Sequence, residues 1–244
     1  MINHFAVLVL NVGLISASGL PPWIKPCKVG PKFDECSIKN GKFAMPYIMK
    51  GDPKYQVPTM DPLFIPELSI TEDQSKSIAM NITLRNTEIR GLRNSNFVSS
   101  KYDAQRKHFE WVFDNLDLQL FSDYKISGKF LLLPIVGNGH TTITIKDVKL
   151  MVYIDYKTEK RNDEDYAVIK NLDIKYTTKR LTINLENLFN GNRELGNNIN
   201  GLMNLNWREL NNSLGPGVTK AIAIYLKQVL DNILKTVPVK EIFL

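Results

Sequence analysis

The chain has 244 residues, of which 43% are hydrophobic and 23% charged, and it carries a formal net charge of +6. This length allows one large domain or two small ones, and the hydrophobic fraction supports a real core. Lysine and arginine are scattered without a long basic run, so the composition argues against a nucleic-acid-binding protein.

Residues 1–19 are predicted to be a secretory signal peptide. An apolar run over residues 5–10 continues to residue 15 and is followed by the small residues 16–19, as at a signal-peptidase site, although no lysine or arginine precedes it. The run is too short and too interrupted to span a bilayer, and no later segment resembles a membrane span. We therefore expect an extracellular protein without stable membrane insertion.

Two cysteines, Cys27 and Cys36, lie near the start of the remaining chain. In an oxidising compartment they can pair, and closing a loop of this size stabilises a protein by about 2–3 kcal/mol. The alternatives are two free thiols or half of a metal site. His108 and His140 lie at no metal-binding spacing from the cysteines, so we expect no metal.

Proline and turn residues dominate residues 20–70. Within this stretch the apolar pattern predicts a helix over residues 33–49, and the proline-rich segment after it is expected to be extended. From residue 77 to about residue 189 the apolar residues recur with period two, which is typical of β-strands. Asn81 lies on the polar face of the first of these strands, so its glycosylation triplet is a better candidate than the one at Asn211.

Two phase slips interrupt the period-two pattern, one at residues 114–115 and one at residues 146–147. A slip inside one strand turns half of its apolar side chains to the wrong face unless a β-bulge restores the phase. Because bulges bend and twist strands, the two slips predict a strongly curved antiparallel sheet. A hairpin tip is expected at the acidic residues 163–165.

Residues 124–148 are interpreted as a β-hairpin that turns at residues 137–139, where two glycines flank an asparagine. Its first arm, residues 130–136, has no polar residue on either face. A sheet with one solvated face should alternate apolar and polar residues. The second face of this arm therefore needs an apolar partner, which is either another layer of protein or a lipophilic ligand.

After Gly196 the apolar period becomes helical, and Pro216 is expected to kink or restart the helix. The apolar stripe of the last part is wider than that of an amphipathic surface helix, which indicates burial on more than one side. A curved antiparallel sheet wrapped around a long terminal helix satisfies both patterns. No linker interrupts residues 77–244, so residues 20–244 are predicted to form a single α+β domain.

The sequence offers almost no candidate for catalysis. It has no Gly-x-Ser-x-Gly turn, no phosphate-binding loop and no His-Glu-x-x-His motif, so we expect no catalytic residue, no cofactor and no enzyme. His108 and His140 have no candidate nucleophile or orienting acid nearby in sequence. Trp111, in an aromatic stripe, is either a core residue or part of a cavity wall. The hydroxyl of Tyr225 needs a partner, which is either a ligand or a backbone carbonyl.

Several segments, in their order and spacing, resemble the takeout and juvenile-hormone-binding protein family of insects. The resemblance spans residues 20–244 and is carried by the cysteine pair at 27 and 36, residues 61–68, residues 124–145, residues 206–209, residues 237–238 and residues 242–243. It implies a TULIP-type fold, in which a long C-terminal helix is wrapped by a highly curved antiparallel sheet that encloses an apolar tunnel.

The resemblance also implies a secreted carrier of a small lipophilic ligand, which is terpenoid, fatty-acid-like or juvenile-hormone-like. We expect it to be a monomer in haemolymph or another extracellular fluid. Because the chain has no cysteine after Cys36, and has Val239 where a tyrosine is common, it is more similar to a general takeout-like carrier than to a dedicated juvenile hormone carrier.

The side chains expected to line the tunnel come from the hairpin, the aromatic stripe and the last helix. They are Leu131, Leu133, Ile135, Trp111, Ile222, Tyr225, Leu226 and Val229. Two alternative functions stay open. One is a lipid-ester hydrolase that uses His108 or His140, and the other is a protein that binds lipid or membrane surfaces through its charge and apolar end loops.

Overall fold

The computed structural model describes residues 19–71 and 78–244. The predicted signal peptide lies outside the described residues except for Gly19. The helices are α1 (Phe33–Lys50), α2 (Arg193–Leu205), α3 (Trp207–Leu234) and α4 (Val239–Ile242). The strands are β1 (Leu63–Thr71), β2 (Ala79–Arg90), β3 (Asn96–Asp103), β4 (His108–Phe130), β5 (Leu133–Arg161), β6 (Glu164–Thr177) and β7 (Arg180–Leu185).

The described strands form one seven-stranded antiparallel sheet in the order β1-β2-β4-β5-β6. β3 pairs with the first half of β4, and β7 pairs with the first half of β5. β4 has 23 residues and β5 has 29, so each has different neighbours along its two halves. This arrangement confirms the predicted β-structure and leaves β1 and β6 at the ends of the strand order.

Bulges lie where the phase slips predicted them. The register of the β4–β5 ladder shifts on both sides of Leu116. Asn115 in β4 and Asp147 in β5 have positive φ values of 60° and 53°, so each departs from the extended backbone of the ladder. The bulges bend the two longest strands, and the prediction of a strongly curved sheet is confirmed.

The β4–β5 hairpin does not turn where the sequence predicted. Its turn residues are Leu131 and Leu132, and φ is positive at both, 48° and 69°, as in a two-residue loop of type I′. Residues 137–139 lie inside β5. A Cβ atom on Gly139 would stand 2.7 Å from the carbonyl oxygen of Glu186, so glycine permits a close backbone approach there. The predicted turn is wrong because this glycine allows two backbone segments to approach closely and does not reverse the chain.

The apolar residues 130–136 are consequently not one arm of a strand. Phe130 ends β4 and Ile135 lies in β5, and both are buried in the main core. Leu132, Leu133 and Val136 are 71%, 47% and 52% exposed at the hairpin tip. The second apolar face of this segment therefore faces solvent, and the interpretation that it needs a protein layer or an internal ligand is wrong.

The elements before and after this hairpin follow the predictions more closely. α1 covers the predicted helix, and the extended segment after it contains β1, an outer strand that accommodates Pro66. The β5–β6 hairpin turns at Asn162 and Asp163, slightly before the predicted tip, and both residues have positive φ.

α3 is continuous from Trp207 to Leu234 and passes through Pro216. The helical segment is interrupted instead at Asn206, which separates α2 from α3. Of the two predicted alternatives at Pro216, a kink or a restart of the helix, the restart is wrong. The missing N–H of proline removes one backbone hydrogen bond, and the packing of a long helix on several sides outweighs that loss.

α3 packs closely against both ends of the strand order. A Cβ atom on Gly215 would stand 2.8 Å from the Tyr176 hydroxyl of β6, and one on Gly217 would stand 2.9 Å from the Ile70 side chain of β1. A side chain at either position would push against Tyr176 or Ile70, so the two glycines allow the helix to approach these strands closely. The sheet wraps the helix, as the wide apolar stripe predicted.

Cys27 and Cys36 form a disulfide whose Cα atoms are 6.0 Å apart. Cys36 lies in α1, and Cys27 belongs to the arm that precedes it. The amide of Leu244 donates a hydrogen bond to the carbonyl of Cys27 (3.1 Å), and Val29 donates to the carbonyl of Leu244 (3.0 Å). The expected disulfide is confirmed, and it anchors the N-terminal arm and the C-terminus to α1.

Candidate functional site

α3 contributes to three apolar clusters that fill the space inside the sheet. The main cluster includes Met80, Ile135 and Leu210, from β2, β5 and α3. The N-terminal cluster includes Val229 and the arm residue Trp23. The β6 cluster joins residues of α3, β5 and β6, which are Val152, Ile154, Ile169, Leu172, Ile174 and Ala223. The helix is therefore surrounded by apolar side chains along most of its length.

The β6 cluster is bordered by large apolar side chains that are only half-buried. They are Phe109, Trp111, Phe113, Leu150, Ile222, Leu226, Leu230 and Leu234. Protein interiors are packed as closely as organic crystals. These large apolar side chains pack against the interior and still keep accessible surface, so they offer apolar contacts to a ligand.

Two polar atoms around the three clusters have no hydrogen-bond partner among the described residues. The indole nitrogen of Trp111 is buried and unpaired. The hydroxyl of Tyr225, which packs between the main and N-terminal clusters, also makes no hydrogen bond within residues 19–71 and 78–244. Burial raises the pKa of the Tyr225 phenol, so the group stays protonated at neutral pH and can donate. The buried indole nitrogen of Trp111 without a partner costs about 1–3 kcal/mol, which an oxygen atom of a ligand would recover.

The predicted lining residues fall into two groups. Trp111, Ile222 and Leu226 all border the β6 cluster. Leu131 and Tyr225 border the main cluster, which also contains Ile135. Chemically, this arrangement suits an elongated apolar molecule that carries a hydrogen-bond acceptor.

Two predicted lining residues lie elsewhere. Leu133 directly follows the hairpin turn and is 47% exposed at its tip, so the assumption that it shares the inward face of Ile135 is corrected. Val229 is 6% exposed and fully packed in the N-terminal cluster. The lining prediction also left out Phe109 and Phe113, although they share the period-two face of Trp111.

The histidines show no catalytic arrangement in the described part of the chain. The Nδ1 atom of His108 lies 2.7 Å from Asp155 Oδ1, and its Nε2 atom lies 3.7 Å from Glu110 Oε1. His140 pairs with Asp123 at 2.8 Å, and its side chain is 78% exposed. Neither ring is hydrogen-bonded to a serine or cysteine of residues 19–71 or 78–244. A hydroxyl or thiol beside the base is what nucleophilic catalysis requires.

Residues 19–71 and 78–244 contain no group of histidine, cysteine, aspartate and glutamate that could hold a metal ion. Nor does any helix among them combine the length and hydropathy needed to cross a membrane.

The two glycosylation triplets lie in different surroundings. Asn81 is exposed on β2. Asn211 lies half-buried in α3, where its side-chain oxygen accepts a hydrogen bond from the hydroxyl of Tyr176. The preference for Asn81 therefore stays a prediction, with an accessible side chain in its favour.

Comparisons with known proteins agree with this architecture. A family model described as haemolymph juvenile hormone binding protein (JHBP) matches residues 5–244. The chain is 27% identical to the circadian clock-controlled protein daywake of Drosophila melanogaster, over 98% of this chain and 96% of daywake. Daywake of Drosophila yakuba is 25% identical, with the same coverage.

The crystal structure of Takeout 1 from Epiphyas postvittana is similar with a TM-score of 0.80 and 26% identity, covering 90% of this chain and 99% of Takeout 1. The TULIP-type fold, with a curled antiparallel sheet and a long C-terminal helix, is thereby confirmed. The chain belongs to the haemolymph juvenile hormone binding protein family, whose members are carriers of hydrophobic ligands.

Proposed function

We propose that this protein is a secreted, non-enzymatic carrier that holds one small lipophilic molecule between α3 and the inner face of the sheet. The observation that carries the proposal is the row of half-buried apolar side chains that border the β6 cluster, together with two unpaired donors, the Trp111 indole in that row and the Tyr225 hydroxyl on α3. Terpenoids, fatty-acid-like molecules and juvenile-hormone-like esters each combine an apolar chain with an oxygen acceptor. Secretion is supported by the N-terminal apolar segment and the disulfide.

Burial of ligand surface sets the scale of the expected affinity. About 300 Å² of apolar ligand surface removed from water gives roughly 7–8 kcal/mol before costs. The loss of ligand freedom on binding reduces this figure, so we expect a dissociation constant of about 1 μM or somewhat lower.

The protein purified from a secreting host should contain a co-purified lipophile, identified by mass spectrometry of an organic extract. The delipidated protein should then bind members of a fatty-acid and terpenoid panel with about micromolar affinity. Chromogenic esters provide the control for the hydrolase alternative and should stay intact. A preparation that contains no lipophile and binds no member of the panel would contradict the carrier proposal.

Association with a lipid surface is a second candidate function, and the β4–β5 hairpin tip favours it. Leu132, Leu133 and Val136 expose apolar surface there, next to Lys125 and Lys129 at the end of β4. Exposed apolar side chains beside cationic ones are typical of segments that bind anionic membranes. We propose an anionic lipid surface as the partner of this tip.

Vesicle flotation tests this second function. The wild type should float with vesicles that contain phosphatidylserine at low salt, and not with pure phosphatidylcholine vesicles. Leu132→Asp combined with Leu133→Asp should reduce the bound protein about tenfold. Leu195→Asp combined with Leu205→Asp, which changes two leucines of α2 that are 48% and 82% exposed, alters the net charge equally and is the matched control. Equal flotation of the tip and control variants would exclude the tip as the binding surface.

A further inference from the structure

A groove of about 850 Å³ lies between β6 and α3. This volume is in the range of small-molecule sites, about 300–1,000 Å³. Its floor is apolar and includes the buried side chains of Leu172, Ile174 and Ala223. Ile224, which is 64% exposed, stands at its rim. The groove therefore presents an apolar surface to solvent. It lies outside the space between α3 and the inner face of the sheet, where the carrier proposal places the ligand.

The rim of the groove is cationic. Lys170 and Lys175 reach it from β6, Lys220 and Lys227 reach it from α3, and Asp173 is the one carboxylate in the lining. Lys227 is paired with Asp231, with Nζ and Oδ2 2.5 Å apart. Lys175 lies over the ring of Tyr153, 5.5 Å from its centroid.

Two of the four lysines are free to bind an anion. Lys170 and Lys220 form neither an ion pair nor a cation–π contact with a residue of the described chain. They stand on opposite walls, one on β6 and one on α3.

The spacing along α3 places cationic and apolar groups on the same face. Lys220 precedes Ile224 by one helical turn, and Lys227 follows it by almost one turn, so the three side chains are neighbours on the helix surface. Lysines along an outer strand commonly prevent edge-to-edge association of sheets, and this role accounts for Lys170 and Lys175. It does not account for an exposed isoleucine between two lysines on a helix, or for the apolar floor.

We propose that this groove binds an anionic amphiphile, a molecule with a carboxylate or phosphate head and an acyl chain. The head binds at the cationic rim, where Lys170 and Lys220 are the two lysines without a partner, and the chain lies on Ile224 and the floor. Leu172, Ile174 and Ala223 also belong to the β6 cluster, which Leu226 and Trp111 border. The groove and the interior thus share one wall. We infer that the groove is where a charged ligand first binds, so this inference rests on the proposed carrier function.

The test compares cis-parinaric acid, a fluorescent fatty acid, with its uncharged methyl ester. Lys170→Glu combined with Lys220→Glu should weaken binding of the acid about tenfold and leave the ester within about twofold, since only the acid carries the recognised charge. Lys39→Glu combined with Lys42→Glu, on exposed positions of α1, changes the net charge equally and should affect neither ligand. Ile224→Ser should weaken the acid about fivefold through lost apolar contact.

The source of the anionic head is decided by displacement. If oleate displaces the bound acid, the head group is a carboxylate. If only lysophosphatidate displaces it, the head group is a phosphate. Displacement by neither would contradict an anionic ligand.

The possible failures of the inference and of the carrier proposal are distinguishable. If the groove variant binds the acid as the wild type does, or loses acid and ester equally, the groove inference is overturned. Uptake of the ester by the wild type would still support a carrier. If the wild type binds neither the acid nor the ester, the carrier proposal fails and the groove inference fails with it.

Discussion

Leu226→Trp is expected to weaken binding of a lipophilic ligand about tenfold or more, while the thermal midpoint stays within about 2 °C of the wild type. Leu226 lies on α3, borders the β6 cluster and keeps accessible surface. On the carrier proposal the ligand lies against this half-buried side chain, so an indole here would compete with the ligand without displacing packed neighbours. Uptake of fatty-acid and terpenoid probes, measured beside differential scanning calorimetry, checks both results.

Two matched tryptophan variants control for packing and for surface effects. Val229→Trp should cost about 1–3 kcal/mol by overpacking, because Val229 is 6% exposed in the N-terminal cluster. Its thermal midpoint should therefore fall by about 3–10 °C. Leu133→Trp, at the exposed hairpin tip, should change neither stability nor uptake. A lowered midpoint with normal uptake for Leu226→Trp would show that this residue is packed core.

Removal of the disulfide is expected to have the second large effect. Cys27→Ser combined with Cys36→Ser opens a covalent loop with a sequence separation of 9 residues. The chain-entropy model assigns about 2–3 kcal/mol to a loop of this size, so the thermal midpoint should fall by about 5–10 °C. Calorimetry of the variant and of the reduced wild type measures this change.

The disulfide also supports contacts that are distant in sequence. The carbonyl of Cys27 accepts the amide of Leu244, and the ring of Phe243 stacks on that of Tyr102 at 5.2 Å between centroids. We therefore expect faster amide exchange at the C-terminus after reduction. A reductant should not alter the double serine variant, which controls for other effects of the reagent. Secreted protein with free thiols, or a midpoint unchanged by reduction, would contradict the anchoring role.

The periodicity of the apolar residues predicted much of the fold, because it shows which face of each helix or strand is buried. The phase slips at residues 114–115 and 146–147 located the bulges of β4 and β5, since a bulge is needed wherever the apolar phase changes within a strand. The over-wide stripe around Ile222 and Leu226 likewise predicted a helix enclosed by the sheet. Ile222 and Leu226 were also residues of the candidate site that the sequence alone could predict.

Contacts between segments that are distant in sequence determined the features that the periodicity could not predict. Gly139 reads equally well as a turn residue or as a place of close approach, and only the carbonyl of Glu186 above it distinguishes the two. Pro216 does not end α3, because the helix is held on several sides. The groove between β6 and α3 has no pattern in the sequence, since its lysines and its apolar floor come from two elements that only folding brings together.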